Sequence, residues 1–155
     1  MNKAIKIITI SLASIILLAA VSYFGLRQFT RSIYKQRTCE WANIDNIEMH
    51  AEVDVPKIKT FDCIYKKELN TKMAMFEIDK ANVDMDRYIK LNNFRKLNSV
   101  NEISFDNILK KETNVDSLMA SPDLYYTKGS YKGETWQTIL DNSSGRLWVT
   151  IQYND

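Results

Sequence analysis

The sequence predicts an α+β fold, mainly β, in which an N-terminal transmembrane helix precedes a small, strongly curved antiparallel sheet or partly closed barrel with two short helices. Three observations favour this class. Residues 7–26 carry no formal charge, six later segments have strand-like composition or alternation, and most links between those segments are short turns. A parallel α/β fold would need helices between successive strands, and the sequence lacks them.

Residues 7–26 form an apolar run of twenty residues. At about 1.5 Å per residue, a helix of this length crosses the roughly 30 Å hydrocarbon layer of a bilayer. The alternative is a cleaved secretory signal, because Lys3 and Lys6 form a basic start. The run exceeds a normal signal core, and its best cleavage site, at residues 20–22, lies inside it. We therefore favour an uncleaved anchor, with residues 1–6 as a short cytoplasmic N-terminus.

The orientation of the anchor rests on two opposing signals. The basic residues that flank the run are Lys3 and Lys6 before it, and Arg27, Arg31, Lys35 and Arg37 after it. This count slightly favours a cytoplasmic C-terminal domain, but long domains translocate largely regardless of charge. Because a cysteine pair also follows, we expect a single-pass protein of the bacterial inner membrane, with residues 38–155 as a periplasmic β-rich domain.

Charge is distributed unevenly along the chain. Residues 27–37 form a basic, amphipathic juxtamembrane stalk, whereas residues 38–155 have fifteen basic and nineteen acidic side chains, net about −4. Nucleic-acid binding needs a concentrated basic surface, so nucleic acid is not an expected partner. The membrane is.

Small residues fall on one face of the predicted span, because eleven residues are close to three helical turns. They are Ser11, Ser14, Ser22 and Gly25. Small residues let helix backbones approach closely in lipid, so this face is a candidate for packing against a partner's span. Serine and glycine are also common in membrane helices that make no such contact.

Cys39 and Cys63 are the only cysteines. In an oxidising compartment they would form a disulfide that closes a loop of about 25 residues and stabilises the domain by roughly 3.5 kcal/mol. In the cytoplasm both would be free thiols. Their spacing, with one histidine in the chain, fits neither a redox C-x-x-C pair nor a zinc site.

Strands are predicted by alternation of apolar and polar residues, and the clearest example is residues 47–55. That strand would expose His50 between Glu48 and Glu52 on its solvent face. The last predicted strand would be a sheet edge or a barrel closure. The six predicted strands cover residues 47–55, 58–66, 72–79, 124–131, 134–140 and 146–153, with turns at residues 132–133 and 141–145.

The two helices are predicted in the middle of the chain. Asp84 can cap a short helix through residues 85–91, and a second helical segment covers residues 104–111. The Asn-rich residues 92–101 between the two helices are predicted to form a loop. The two helices would form an insertion or a cap against the sheet.

Catalytic and metal-binding motifs are missing from the sequence. A lone His50 flanked by carboxylates could bind a metal weakly or respond to pH, but such a residue is more often an ordinary exposed one. The sequence has no Gly-rich phosphate loop, H-E-x-x-H motif or nucleophile elbow. We therefore predict neither an enzyme nor a cofactor nor a metal site.

Aromatic residues concentrate in the C-terminal third. Tyrosine and tryptophan combine apolar area with a polar tip, so they can line a cavity for an amphipathic small molecule or anchor a protein interface, and some must simply form the core. Trp136 can lie near Trp148 across a hairpin, and because they occupy neighbouring strands we expect at least one of them to pack inward. The candidates for ligand or partner binding are Tyr126, Tyr131, Trp136, Trp148 and Tyr153.

The layout of the whole chain resembles the FidL-like family of inner-membrane proteins, which are similar to ToxS. The resemblance rests on chain length, the span at residues 7–26 and the ending GRLWVTIQY at residues 145–153. It implies a lipocalin-like barrel outside the membrane, a single-pass transcription regulator of the ToxR type as partner, and uptake of a hydrophobic signal such as a bile acid. It assigns no role to any individual residue.

Two functions are consistent with these features. The first is a membrane-anchored periplasmic accessory protein that binds and stabilises or gates a ToxR-type regulator. The second is a membrane-tethered immunity protein or inhibitor of a periplasmic toxin or hydrolase, a role that also suits a small, mildly acidic domain on an anchor. The neighbouring reading frame, encoding either a winged-helix protein or a toxin, would distinguish them.

Overall fold

The computed structural model describes residues 3–40, 43–98 and 123–154. The chain divides into two units, Met1–Gln36 and Arg37–Asp155. The first unit is one helix, α1, at Lys3–Lys35. It runs without interruption from the predicted span into the predicted stalk, and it is long and apolar enough to cross a membrane.

The second unit is built on an open antiparallel sheet of six strands, which confirms the α+β class. The strands are β1 at Ile58–Lys66, β2 at Thr71–Ile78, β3 at Arg95–Lys96, β4 at Leu124–Tyr131, β5 at Glu134–Asp141 and β6 at Arg146–Gln152. Their order across the sheet is β1-β2-β6-β5-β4-β3, so β1 and β3 are the two ends among the described strands. Five of the predicted strands are present, with bounds that differ by at most one residue.

The predicted strand at residues 47–55 is wrong, because helix α2 occupies Asn43–Ala51. Its buried residues recur at the three- and four-residue spacing of one helical face, and several of them are polar. Alternation of apolar residues does not reveal this helical face, because part of the face is polar. Glu52, with φ at 51°, adopts the left-handed conformation that often ends a helix. The buried residues of α2 are Asn43, Asn46, Ile47, His50 and Ala51.

The last strand, β6, is interior, so its predicted position at an edge is wrong. It pairs with β2 on one side and with β5 on the other. Leu147, Trp148 and Val149 are all buried, so consecutive residues on both faces of β6 are covered. Strands that are apolar on both faces belong inside a sheet, and exposed strands such as β1 belong at its ends.

Helix α3, at Met85–Leu91, follows the predicted cap. Asp84 Oδ1 accepts a hydrogen bond from the backbone N–H of Arg87 at 3.1 Å, which satisfies one of the free donors of the first turn. The loop prediction is wrong for β3, which pairs with Tyr125 and Tyr126 of β4. A two-residue strand is too short to show alternation in a sequence. The predicted helix at residues 104–111 lies outside the described residues.

Both predicted hairpin turns are present. Lys132 and Gly133 have φ of 51° and 85°, the pair of positive values that a tight two-residue hairpin turn requires. In the second turn, the side chain of Asp141 accepts hydrogen bonds from the hydroxyls of Ser143 and Ser144, each at 2.6 Å. These turns set the registers of β4 with β5 and of β5 with β6.

The two faces of the sheet bury different clusters. The side that we call the helix face carries Ala74, Phe76, Leu147, Val149 and Ile151, and these pack in one cluster with residues of α2 and α3. The opposite side, the methionine face, carries Met73, Met75, Ile139, Trp148 and Tyr126, and its cluster contains no helical residue among those described. Successive residues of each strand alternate between these two faces.

Candidate functional site

A disulfide joins Cys39 to Cys63, with their Cα atoms 5.8 Å apart. Cys39 comes shortly after the end of α1 in sequence, and Cys63 lies in the middle of β1. The bond therefore ties the start of the second unit to the strand at one end of the sheet. Cross-linking of this kind stabilises a fold mainly by restricting its unfolded state.

His50 is buried, and its predicted exposure on a strand is wrong. Its side chain points from α2 to β5, where Nδ1 lies 2.7 Å from Oε2 of Glu134. The imidazole ring also packs edge-to-face on Tyr153, with ring centroids 5.3 Å apart. His50 therefore helps to hold α2 on the sheet. Glu48 and Glu52 are not its partners in these contacts.

Lys72 is a second polar group buried on the helix face, and only 1% of its surface is exposed. Its Nζ donates to Oδ1 of Asn43 at 3.1 Å and to Oδ1 of Asn46. Burial without a carboxylate in these contacts lowers the pKa of Lys72 to about 8. The sequence does not predict this cluster, because asparagine and lysine are seldom core residues.

The aromatic candidates separate into different environments. Trp136 belongs to the helix-face cluster and Trp148 to the methionine-face cluster, so the expected proximity of the two is wrong. Trp136 packs directly over Gly129, its partner on β4, where a Cβ atom would lie 2.5 Å from Cζ2 of the indole. Trp136 is therefore a core residue whose ring needs glycine opposite it.

Two tyrosines have clear surroundings. Tyr153 is buried beside His50, and the guanidinium of Arg37 lies 5.1 Å from the centre of its ring. Tyr131 is 52% exposed at the β4–β5 turn, with the ammonium of Lys132 4.9 Å from its ring. The contacts of Tyr153 are structural, whereas the exposed ring of Tyr131 is open to a partner. Tyr126 is partly buried on the methionine face.

The small residues of α1 were predicted to form a packing face. Ser11, Ser14, Ser22 and Gly25 are all exposed within the chain. The hydroxyl of Ser14 donates to the carbonyl of Ile10 at 2.9 Å, which satisfies it inside the helix. A Cβ atom at Gly25 would meet nothing within 4 Å. These positions can accept a neighbouring helix sterically.

A cavity of about 100 Å³ opens on the methionine face, over β1, β2 and β6. In the register of these strands, Asp62 faces Met75 and Met75 faces Trp148, while Ile64 faces Met73. The cavity is lined by Asp62, Cys63, Ile64, Met73, Ala74, Met75 and Trp148.

Two buried polar atoms of this face have no hydrogen-bond partner within residues 3–40, 43–98 and 123–154. They are Nε1 of Trp148 and Oγ1 of Thr150. Trp148 and Thr150 are two residues apart on β6, so their side chains emerge on the same face. An indole N–H can only donate, and a hydroxyl can donate or accept. Buried polar groups usually have partners, so this pair is a candidate for ligand contacts.

The described residues contain no group of three or more His, Cys, Asp or Glu side chains that could hold a metal ion. The methionine-face cavity offers apolar contact from flexible methionines and the indole of Trp148, whose Nε1 is unpaired among the described residues. Such a combination is typical of binding sites for small molecules. Trp148 was among the sequence candidates. The methionines were missed, although Met73 and Met75 stand two residues apart in a predicted strand.

Comparison with known proteins gave no family model, no curated protein and no solved structure that matches this chain.

Proposed function

We propose that this protein is a single-pass accessory protein of the bacterial inner membrane, whose periplasmic domain binds and stabilises or gates a ToxR-type transcription regulator. The observation that carries the proposal is the disulfide between Cys39 and Cys63, which follows an apolar helix that is long enough to cross a bilayer. Structural disulfides persist in oxidising compartments and are rare in the cytoplasm. Both features support a sheet domain that lies outside the cytoplasm and is anchored by α1.

The proposed mode of action is binding. The methionine face has a cavity for an amphipathic molecule, and Tyr131 exposes an aromatic ring at the end of a hairpin. Exposed tyrosines are favourable anchors in protein interfaces. The exposed small residues of α1 supply a second surface, on which the regulator's own span packs. A lipocalin-like curvature of the sheet, closing around the ligand, is part of this proposal.

Site-specific crosslinking in the native membrane tests the proposal. A photoreactive phenylalanine analogue replaces Tyr131 in the full chain, and a control variant carries it at Trp136, which is only 8% exposed. We expect Tyr131 to capture a single-pass protein with a cytoplasmic winged-helix domain and Trp136 to capture nothing. The proposal is overturned if no such regulator is captured from Tyr131 or from other exposed positions on β4 and β5.

The alternative is an immunity protein or inhibitor that neutralises a periplasmic toxin or hydrolase. The excess of acidic over basic side chains in residues 38–155 favours it, since such a surface attracts a basic enzyme. In the same crosslinking experiment, this function would give a secreted hydrolase or toxin in place of the regulator. Purified chain would then inhibit that enzyme directly.

A further inference from the structure

We infer that the methionine-face cavity binds a small neutral or cationic molecule, and not an anionic one, through a hydrogen-bond acceptor placed on Nε1 of Trp148. This inference rests on the ligand-sensing part of the proposed function and narrows the class of its ligand. It does not depend on the identity of the protein partner.

The unpaired donor at Trp148 points to an acceptor on the ligand. Trp148 is 6% exposed and lines the cavity, and its Nε1 is buried without a hydrogen-bond partner among the described residues. The indole N–H has no acceptor capacity, so only a carbonyl, hydroxyl or similar oxygen can satisfy it. Thr150, the next residue of β6 on the same face, has an unpaired hydroxyl as well. Thr150 is not part of the cavity lining, but its β2 partner Met73 is. A ligand with a second polar atom that extends past Met73 would reach both groups.

The methionines provide the apolar part of the site. Met75 lies opposite Trp148, and Met73 lies opposite Thr150, so a thioether flanks each unpaired group. Methionine side chains are flexible and polarisable, and they adapt well to aromatic or aliphatic ligands. An enclosed cavity of roughly 150 Å³ holds a benzene ring. The present cavity of about 100 Å³ therefore encloses part of a ring and leaves the rest at its mouth, beside the exposed Ile64.

The charge of the lining determines the ligand class. Asp62 is the only charged residue among those described that line the cavity. It lies two strands from Trp148 in the same cross-strand row, so their backbones are about 10 Å apart. A carboxylate at that distance repels an anion and attracts a cation or a hydrogen-bond donor. Fatty acids and other carboxylates are thus disfavoured, while amides, alcohols and amines are favoured.

The charged residues at the margin of the face pair with one another. Arg146 and Glu77 are direct partners in the β2–β6 register, two positions beyond Met75 and Trp148. Glu77 also lies 3.6 Å from the ammonium of Lys59. Asp62 accepts a hydrogen bond from the backbone N–H of Cys63 at 2.9 Å, which holds its side chain close to the strand. Among the described residues, the only formal charge in the cavity lining itself is therefore negative.

Three probes of nearly equal shape test this inference: benzamide, benzoate and toluene. The full chain, labelled with ¹⁵N in its tryptophans and inserted in lipid nanodiscs, is titrated while the indole N–H signals are followed by NMR. The Trp148 signal is assigned from its loss in Trp148→Phe. We expect benzamide to shift this signal, and benzoate and toluene to bind about tenfold more weakly. The Trp136 signal serves as the internal control on the helix face.

Two variants separate charge from shape. Asp62→Asn is expected to bring the affinity for benzoate close to that for benzamide, and Thr150→Val to weaken benzamide while Trp148 still reports binding. The inference is overturned if benzoate binds wild-type chain as tightly as benzamide, if no probe moves the Trp148 signal, or if Trp136 shifts equally. A regulator captured by crosslinking would still support the accessory function after such a result, so the two failures are distinguishable.

Discussion

Buried polar groups have different surroundings on the helix face and on the methionine face of the same sheet. On the helix face, Lys72 contacts Asn43 and Asn46, and His50 contacts Glu134. On the methionine face, Trp148 lines a cavity, and its Nε1 and Oγ1 of Thr150 are buried without a hydrogen-bond partner among the described residues. On the helix face, Oγ1 of Thr138 and Nδ2 of Asn43 are likewise buried and unpaired among the described residues, but neither residue lines that cavity. The methionine face therefore differs in having a cavity beside an unpaired donor.

The largest expected difference between the faces concerns two adjacent residues of β2. Phe76 is completely buried on the helix face, and Met75 is half-buried on the methionine face. Phe76→Ala should lower the free energy of unfolding by about 3–5 kcal/mol, because it leaves a cavity in a closed core. Met75→Ala should cost about 1 kcal/mol. Denaturant titrations of both variants measure this, and equal losses would contradict a difference between the faces.

The next largest effect concerns the contact that holds α2 on the sheet. His50→Ala removes the hydrogen bond to Glu134 and the ring contact with Tyr153, so we expect a loss of about 2 kcal/mol in the free energy of unfolding. The control is Met49→Ala, the neighbouring residue of α2, which is 38% exposed and should cost under about 1 kcal/mol. If the two substitutions are equivalent, the His50 pair does not hold the helix.

Lys72 should make the stability of the domain depend on alkaline pH. Unfolded Lys72 keeps its proton up to about pH 10.5, whereas burial lowers the pKa in the folded state to about 8. Between these values the unfolded state binds more protons, so stability increases with pH, by about 2 kcal/mol between about pH 8 and pH 10. Lys72→Met should remove this increase, and the exposed Lys128→Met should retain it. A rise that survives in Lys72→Met would refute the assignment.

The smallest expected effect concerns the unpaired donor of the methionine face. Trp148→Phe loses apolar contact but also removes a buried N–H that has no partner. The two changes oppose each other, so its cost should be about 1 kcal/mol lower than that of Trp136→Phe on the helix face. Thermal unfolding of both variants in the absence of ligand provides the comparison. A larger loss for Trp148→Phe would mean that its N–H is already satisfied.

Local features of the sequence predicted much of the sheet. In strand β1, Phe61, Cys63 and Tyr65 recur at every second position. The turn at Lys132 and Gly133 contains the glycine that a positive φ favours, and Asp84 is a standard helix cap. Each of these signals depends on residues that are close together in the chain. The bounds of the five correctly predicted strands follow from them.

The features that were predicted wrongly depend on contacts between residues distant in sequence. Helix α2 was read as a strand because its buried stripe includes polar residues whose partners are on β2 and β5, up to 84 residues away. The interior position of β6 depends on its pairing with β2, which alternation within one strand does not specify. The different faces of Trp136 and Trp148 follow from the register of the β5–β6 hairpin, in which Trp136 faces Ile151 and Trp148 faces Ile139. The cavity could not be predicted from one segment of sequence, because it forms only where β1, β2 and β6 pair.

The most direct test of the central claim, a disulfide-closed binding domain on the outer side of the membrane, is thiol labelling of intact cells. A maleimide that does not cross membranes is applied before and after a reductant that does not cross them either. We expect Cys39 and Cys63 to be unreactive at first and both to be labelled after reduction. Labelling that needs permeabilised cells but no reductant would place both thiols, reduced, in the cytoplasm and contradict the account.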